Sequence, residues 1–433
     1  MQKLLLILLP ISIFIVSCGS GEGDLQPIDP IDPIDSVIHI NTFINHPDSV
    51  LTIIPDQNFE QALIDLGIDS NLNGTILTSA VDTITYLNID NKNIYDLTGI
   101  ENFILLEELN CSYNLINNLF LGRNFHLKHI TASHNHITIL DIKGLTNLLY
   151  LDCSFNQITS LDLSDNSSLK LLNCRKNQIG NPETAPAGLD DRLLDLSNNI
   201  ALEHLDCAFN QLPALDLRQN LLLIYLDCGK NEINQNVNPK WGFDLSNNIA
   251  LESLKCDYNL LENELDVSNN LNLKYLYCNN NQITSLDIRY HNKLVVLNCS
   301  NNQLTSSIWS SFLTANNSDL TSLNCEGNQL SSLTLWHQTK LVSLRCNNNQ
   351  ITSLDLRYNT SLNSLYCNNN QLTFLDVRNG NNTNFYDFYT TNNPNLSCIR
   401  VDDYLYSEYN WFNIDSYHFF RDNSNYSSNP NCY

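Results

Sequence analysis

Eleven cysteines recur along this chain on a basic interval of 21 residues: Cys111, Cys153, Cys174, Cys207, Cys228, Cys256, Cys278, Cys299, Cys325, Cys346 and Cys367. Ala132 fills the slot missing between the first two, and insertions at roughly 180–192, 234–242 and 306–318 stretch the interval at three places. The best-formed unit, Leu341–Leu356, reads LxxLxCxxNxIxxLDL. Leu, Leu and Cys alternate with polar residues there, as they do in a half-buried strand. A unit this short cannot bury its apolar face alone. Stacking the units buries it, with a parallel neighbour about 4.8 Å away. The insertions aside, too little chain remains in each unit for a helix, so the second apolar segment is expected to be extended.

This motif, recurring about thirteen times over roughly residues 51–433, resembles the leucine-rich repeat family. More narrowly it is similar to the short bacterial class of 21 residues, sometimes called IRREKO, and to internalin-type repeats. The departures are Lys92 in the first Asn slot, Ile89 and Ala132 in Cys slots, and a degraded last repeat at 385–396. The resemblance implies a curved, right-handed solenoid with a parallel concave sheet, an extended convex side and few helices. Its ends need covers. Residues 51–83 are expected to form an N-terminal cap, with Phe59, Ala62, Leu63 and Leu66 on one helical face. Pro55 and Asp56 suit the start of that helix and Gly67 its stop. About 13–14 repeats fill 84–396. Residues 397–433, rich in aromatics, form the C-terminal cap, where the resemblance implies a disulfide between Cys398 and Cys432, which an exported compartment permits.

Residues 1–17 read as a secretory signal, one Lys followed by a short apolar core. Ile15-Val16-Ser17-Cys18 resembles the bacterial lipobox, which makes Cys18 the lipidated N-terminus of the mature chain. Residues 18–50, with Gly and Ser and then Pro-Ile-Asp triplets at Pro27, Pro30 and Pro33, read as a tether. Glu22 and Asp24 behind Cys18 look like the acidic export tag of surface-exposed lipoproteins in some diderm bacteria. The expected address is therefore the outer membrane, through the lipid alone, with the body at the cell surface.

The net charge of −24 excludes a phosphate-backbone partner, which needs a basic stripe. Metal-spaced His clusters, GxSxG, a P-loop and GxGxxG before a helix are all missing, so no enzyme is expected. The cysteine column takes inward slots and reads as packing, with inert thiols. The asparagine column from Asn114 to Asn370 supports the turn after each strand. The aspartate column, Asp141, Asp162, Asp195, Asp216, Asp244, Asp266, Asp287, Asp355 and Asp376, needs relief from mutual repulsion. Each carboxylate is expected to accept N–H groups in its own turn, with Arg218, Arg289, Arg357 and Arg378 sharing the charge. Bound Ca²⁺ is the alternative there, and also at Asp69–Ile76, which resembles half an EF-hand loop but has Ala80 where the motif needs Glu. No cofactor is otherwise implied.

The variable strand positions face solvent and form two stripes. Their middle brings Tyr150, His204, Tyr225 and Tyr275 beside Asp152, Asp206, Asp227 and Tyr277. Exposed aromatics on a sheet face are the usual anchors of an interface. Two insertions add Trp241 and Trp309, and insertions in repeat arrays often mark the binding face. These ten residues are the expected partner-binding set. The function expected is non-catalytic protein binding, as adhesin, receptor or assembly module. A carbohydrate-binding surface and a passive spacer are the alternatives.

Overall fold

The structure is a computed structural model that describes residues 50–181, 194–234, 242–306 and 317–423. The chain divides into two units, Met1–Asn45 and His46–Tyr433. The first lies outside the described residues, and so do Cys18, Trp241, Trp309 and Cys432.

The second unit is a parallel β-solenoid. Fourteen three-residue strands form one long sheet, the first Tyr86–Asn88 and the last Asp387–Tyr389. Neighbours pair in register, slot for slot: Tyr150–Asp152 on Leu171–Asn173, that on His204–Asp206, then Tyr225–Asp227, Ser253–Lys255 and Tyr275–Tyr277. Register here is dictated by the central Leu of each strand, since a slip of one residue would turn it to water. The opposite side is extended, with short parallel pairs such as Asn118–Phe120 on Ile139–Asp141. Its four-stranded patch ends at Phe419–Arg421. Among the described residues, α-helices lie near the ends, at Gln57–Asp65, Thr78–Val81 and Tyr404–Asn410, and Ser306 is helical as well.

Two columns hold the turns together. The Leu and Cys slots make one continuous core, and all eleven column thiols are free and buried. Each fully buried Leu contributes roughly 1.5–3 kcal/mol. Burial pushes the Cys111, Cys278 and Cys346 thiols up to about 12, so they stay protonated and unreactive. The Asn column supplies the polar fastening. Asn156 Nδ2 donates to Ala132 O and Cys153 O, both at 3.0 Å, and its Oδ1 accepts from Ile137 N–H at 2.9 Å. One side chain thereby satisfies backbone groups on two turns. A further column was not anticipated. Asn124, Asn166, Asn199, Asn220, Asn248, Asn270 and Asn359 are buried and donate to two carbonyls of the preceding turn, as Asn220 does to Leu196 O and Asn199 O.

The N-terminal helix begins where expected. Asp56 caps it by accepting from Asn58 and Phe59 N–H, and its other oxygen accepts from Tyr95 and Asp96 N–H, which ties the cap to the first repeat. Leu66 corrects the expected apolar face. The helix closes at Asp65, and Leu66, its C-cap, is 49% exposed. The inward place goes to Glu60, whose Oε1 accepts from Asn73, Gly74 and Thr75 N–H.

Candidate functional site

The aspartate column is resolved by its own turns. Every carboxylate from Asp141 to Asp376 accepts the N–H two residues on, at 2.9–3.2 Å. Arg218, Arg289, Arg357 and Arg378 fork onto Asp216, Asp287, Asp355 and Asp376. Hydrogen bonds from the arginine hold Asp216, Asp287 and Asp355 below the usual carboxylate range. In the 69–76 loop, Asp69 accepts from Ser70 N–H, and the N–H groups of residues 73–75 point to Glu60. Among the described residues no group of three His, Cys, Asp or Glu side chains is placed to hold a metal ion. Two hollows beside the aspartate column, of about 90 and 260 Å³, are smaller than the ~300–1,000 Å³ of small-molecule sites.

On the long sheet the eight expected strand residues do come together. Tyr150, His204, Tyr225 and Tyr275 share one slot, with Leu171 and Ser253 interposed. Asp152, Asp206, Asp227 and Tyr277 share the other, with Asn173 and Lys255 between them. The His204 and Tyr225 rings stand 6.2 Å apart. Seven of the eight are half-buried and available at the surface.

Asp227 is the exception. It is only 4% exposed, not a free acceptor. Arg175 Nη1 reaches both Asp206 and Asp227 at 3.3 Å, and Lys255 Nζ lies 3.5 Å from Asp227 and 3.2 Å from the Tyr225 hydroxyl. Next to it Gly229 leaves room for Asp257, whose Oδ1 a Cβ at 229 would approach to 2.9 Å. So Asp206, Asp227 and Asp257 crowd around two cations. Burial, and then the Asp227 carboxylate, raise Asp206 and push Asp257 up to about 6. Burial is the main cause that raises Asp152 and Tyr150, with the Asp152 carboxylate adding to Tyr150, and burial lowers His204.

A second feature, missed from sequence, runs along the rim where each strand turns. The residue two after each Cys slot has left-handed backbone. In seven successive turns it is Tyr113, His134, Phe155, Lys176, Phe209, Lys230 and Tyr258, with φ of 51–57°. Their side chains stack into a ladder. His134 lies between Tyr113 at 4.3 Å and Phe155 at 4.2 Å, nearly parallel to both. Lys176 Nζ sits 4.8 Å over Phe155, and Lys230 Nζ sits 4.2 Å over Phe209 and 5.3 Å from Tyr258. Arg175 covers Phe209 at 4.5 Å and so joins the ladder to the Asp206–Asp227 pair. The signal was in the sequence, one place before the asparagine column. Period-two reasoning stops at the strand and passes over it.

At the far end of the sheet Arg345, Tyr366 and Tyr389 form a smaller stack, with Arg345 4.3 Å over Tyr366 and the tyrosine rings 4.6 Å apart. Some aromatics of the C-terminal region turn inward, while Tyr409 and Phe412 stay exposed. Trp411 packs on Phe388 at 3.9 Å and against Phe385 and Phe420.

The comparisons agree with this architecture. A model of leucine-rich repeats in two copies matches residues 271–315. No curated protein sequence matches the chain. Among solved structures, the functional domain of InlJ from Listeria monocytogenes, which includes a cysteine ladder, is 31% identical over 82% of this chain and 77% of that one, with a TM-score of 0.63. An internalin, inlF, from the same organism is 23% identical over 87% and 97%, with a TM-score of 0.56. A leucine-rich repeat protein of Leptospira interrogans shares the fold at 18% identity over 79% and 97%, with a TM-score of 0.54. With its free cysteines stacked turn on turn and that identity across most of its length, the chain belongs to the internalin-like leucine-rich repeat proteins.

Proposed function

We propose that this chain is a non-catalytic protein-binding scaffold of a bacterial envelope, acting as adhesin, receptor or assembly module. One observation carries the reading. The register lines Tyr150, Asp152, His204, Asp206, Tyr225, Tyr275 and Tyr277 along one rigid face, half-exposed and near large aromatic surface. Rigid aromatic anchors with a charged surround are what protein interfaces use. The internalin-like relationship supports the same reading. Stacking of a sugar, by contrast, needs a free ring face. Lys255 lies over Tyr225, and the rim rings cover one another.

Lipid attachment at Cys18 behind the signal of residues 1–17 would hold the scaffold at the outer membrane, surface-exposed. The pairing of Cys398 with Cys432 would close its C-terminal cap. Both belong to the proposal. Cys398 opens the strand Cys398–Arg400, while Cys18 and Cys432 lie outside the described residues.

The test is affinity capture from envelope extract on the purified chain and on a variant with Tyr150→Ala, His204→Ala and Tyr275→Ala. Asp227 is left intact, because removing it would strand Arg175 and Lys255. A protein held by the native chain and lost by the variant is the expected result. Retained polysaccharide with no protein would overturn the reading. Growth in radiolabelled palmitate, with Cys18→Ala as control, tests the anchor. Label that persists in the alanine variant would refute it.

A further inference from the structure

The rim ladder is more than the turn requires. The left-handed slot suits Asn and Gly and disfavours bulky side chains by roughly 1–2 kcal/mol each. Before the ladder the slot holds Asn91. After it come Asn280, Asn301, Gly327, Asn348, Asn369 and Asn392. The same backbone is therefore built without aromatics in the rest of the molecule. Stacking and cation–π contacts return only about 0.5–1.5 kcal/mol per pair.

Three features of the ladder point outward. Tyr113 and Tyr258, at its ends, are 48% and 50% exposed. Lys176 and Lys230 are held over rings, and among the described residues neither forms a close ion pair, although Lys230 lies near enough to Asp257 for its charge to lower that carboxyl and the chain carries −24. The side-chain amides of Gln157, Gln178 and Gln211, two residues further along their turns, make no hydrogen bond among the described residues and remain as donors and acceptors.

The spacing selects the ligand. Lys176 and Lys230 are two turns apart, since Phe209 stands between them, which is roughly 10 Å at ~4.8 Å per strand. A polyproline-type segment puts every third residue on one face, about 9 Å apart. A flat β-strand places same-face residues at about 6.6 and 13 Å, which fits less well. Aromatic-lined surfaces favour the polyproline conformation because it is preformed and loses little entropy on docking.

We propose that the ladder from Tyr113 to Tyr258 is a docking track for an acidic, polyproline-type segment of a protein partner. Carboxylates three residues apart meet Lys176 and Lys230. The faces of Phe155 and Phe209 being covered, the apolar residues between them pack against the half-exposed ring edges and on Tyr258, and the glutamine amides bond the partner's backbone. This rests on the protein-binding reading and names the partner's chemistry.

The probe is a synthetic peptide of repeated Pro-Val-Glu triplets. A Pro-Val-Lys peptide and a scrambled peptide of the first composition are the controls. Pro27–Asp35 of this chain carries acids at the same interval, so the assay uses the full chain bearing Asp29→Ser, Asp32→Ser and Asp35→Ser. Saturable binding of the Pro-Val-Glu peptide is expected, with both controls at least tenfold weaker. Lys176→Gln with Lys230→Gln should weaken it tenfold or more, and Phe155→Asn with Phe209→Asn should abolish it. Asn already occupies this slot in other turns, and unchanged circular dichroism checks that the variants fold. Equal binding of either control, binding that survives the ladder variants, or no binding at all overturns the track. Loss in Tyr150→Ala with His204→Ala alone would move the peptide to the sheet, overturning the track while leaving the scaffold reading in place. Failure of the scaffold reading itself shows separately, in the envelope capture.

Discussion

The two halves of the rim solve one backbone problem in two ways. From Asn280 to Asn392 the left-handed slot carries side chains that suit it, and they bond along the solenoid. Asn392 donates to Asn369 at 2.6 Å, Asn369 to Asn348 at 2.7 Å, Asn348 to Glu326 and Asn301 to Asn280 at 3.1 Å. Gly327 leaves space that Asn301 Oδ1 occupies, so a Cβ there would make that side chain move. From Tyr113 to Tyr258 the same slot carries rings and lysines that suit it poorly. The difference separates what the fold needs from what is added to it. The Asn half is the fold alone, and the aromatic half carries a cost that folding does not explain.

The largest expected effect probes what both halves share. Asn156 and Asn349 each satisfy carbonyls on two turns and accept one N–H from the turn before. Asn156→Ala and Asn349→Ala should each lower stability by about 3 kcal/mol, since buried backbone groups lose their partners. Urea titration of both variants checks this. A large inequality between them would mean that the halves differ beneath the rim as well.

Next comes an asymmetric exchange across the rim. Asn369→Phe places a ring in the left-handed slot and breaks the Asn348 and Asn392 bonds, so it should cost about 1–2 kcal/mol. Phe155→Asn relieves that strain while giving up the His134 and Lys176 contacts, and should change stability by less than about 1 kcal/mol. Thermal melts of the two variants test the asymmetry. Equal losses would remove it.

These exchanges also show what was legible in the sequence. The cysteine interval gave away the solenoid, because one buried slot per turn leaves few other ways to pack. The carboxylates of the aspartate column were readable too, since Arg218 or Ser246 two residues on announces a local turn partner. The rim was not readable, because a left-handed residue after a strand follows no alternation. Asp227 misled for another reason. Alternation gives the side on which a side chain lies, while its exposure depends on Arg175 and Lys255 from other turns. Leu66 followed the helical period but fell one residue past the helix end.

The smallest expected effect is the pH dependence that the acidic cluster of the aromatic half contributes. Asp257 is pushed up from 3.8 to about 6, and Asp206 is raised as well. A carboxylate whose folded pKa lies above its unfolded one favours the folded state when protonated. That contribution is complete below pH 3.8 and is lost as the pH rises through about 6. His134, His204, His291 and His418, each lowered by burial, act in the opposite sense, so the contribution is read as a difference: the margin by which the urea midpoint at pH 5 exceeds that at pH 8 should be smaller in Asp257→Asn than in the native chain. An unchanged margin would show that Asp257 titrates normally.

The central claim is that the aromatic ladder is not there to hold the fold. The most direct measurement is the urea midpoint of a chain in which Tyr113, His134, Phe155, Lys176, Phe209, Lys230 and Tyr258 are all replaced by Asn. The account predicts a midpoint equal to or above that of the native chain, because every slot then has the residue the other half uses. A loss of several kcal/mol, or failure to fold, would contradict it and make the ladder a structural element.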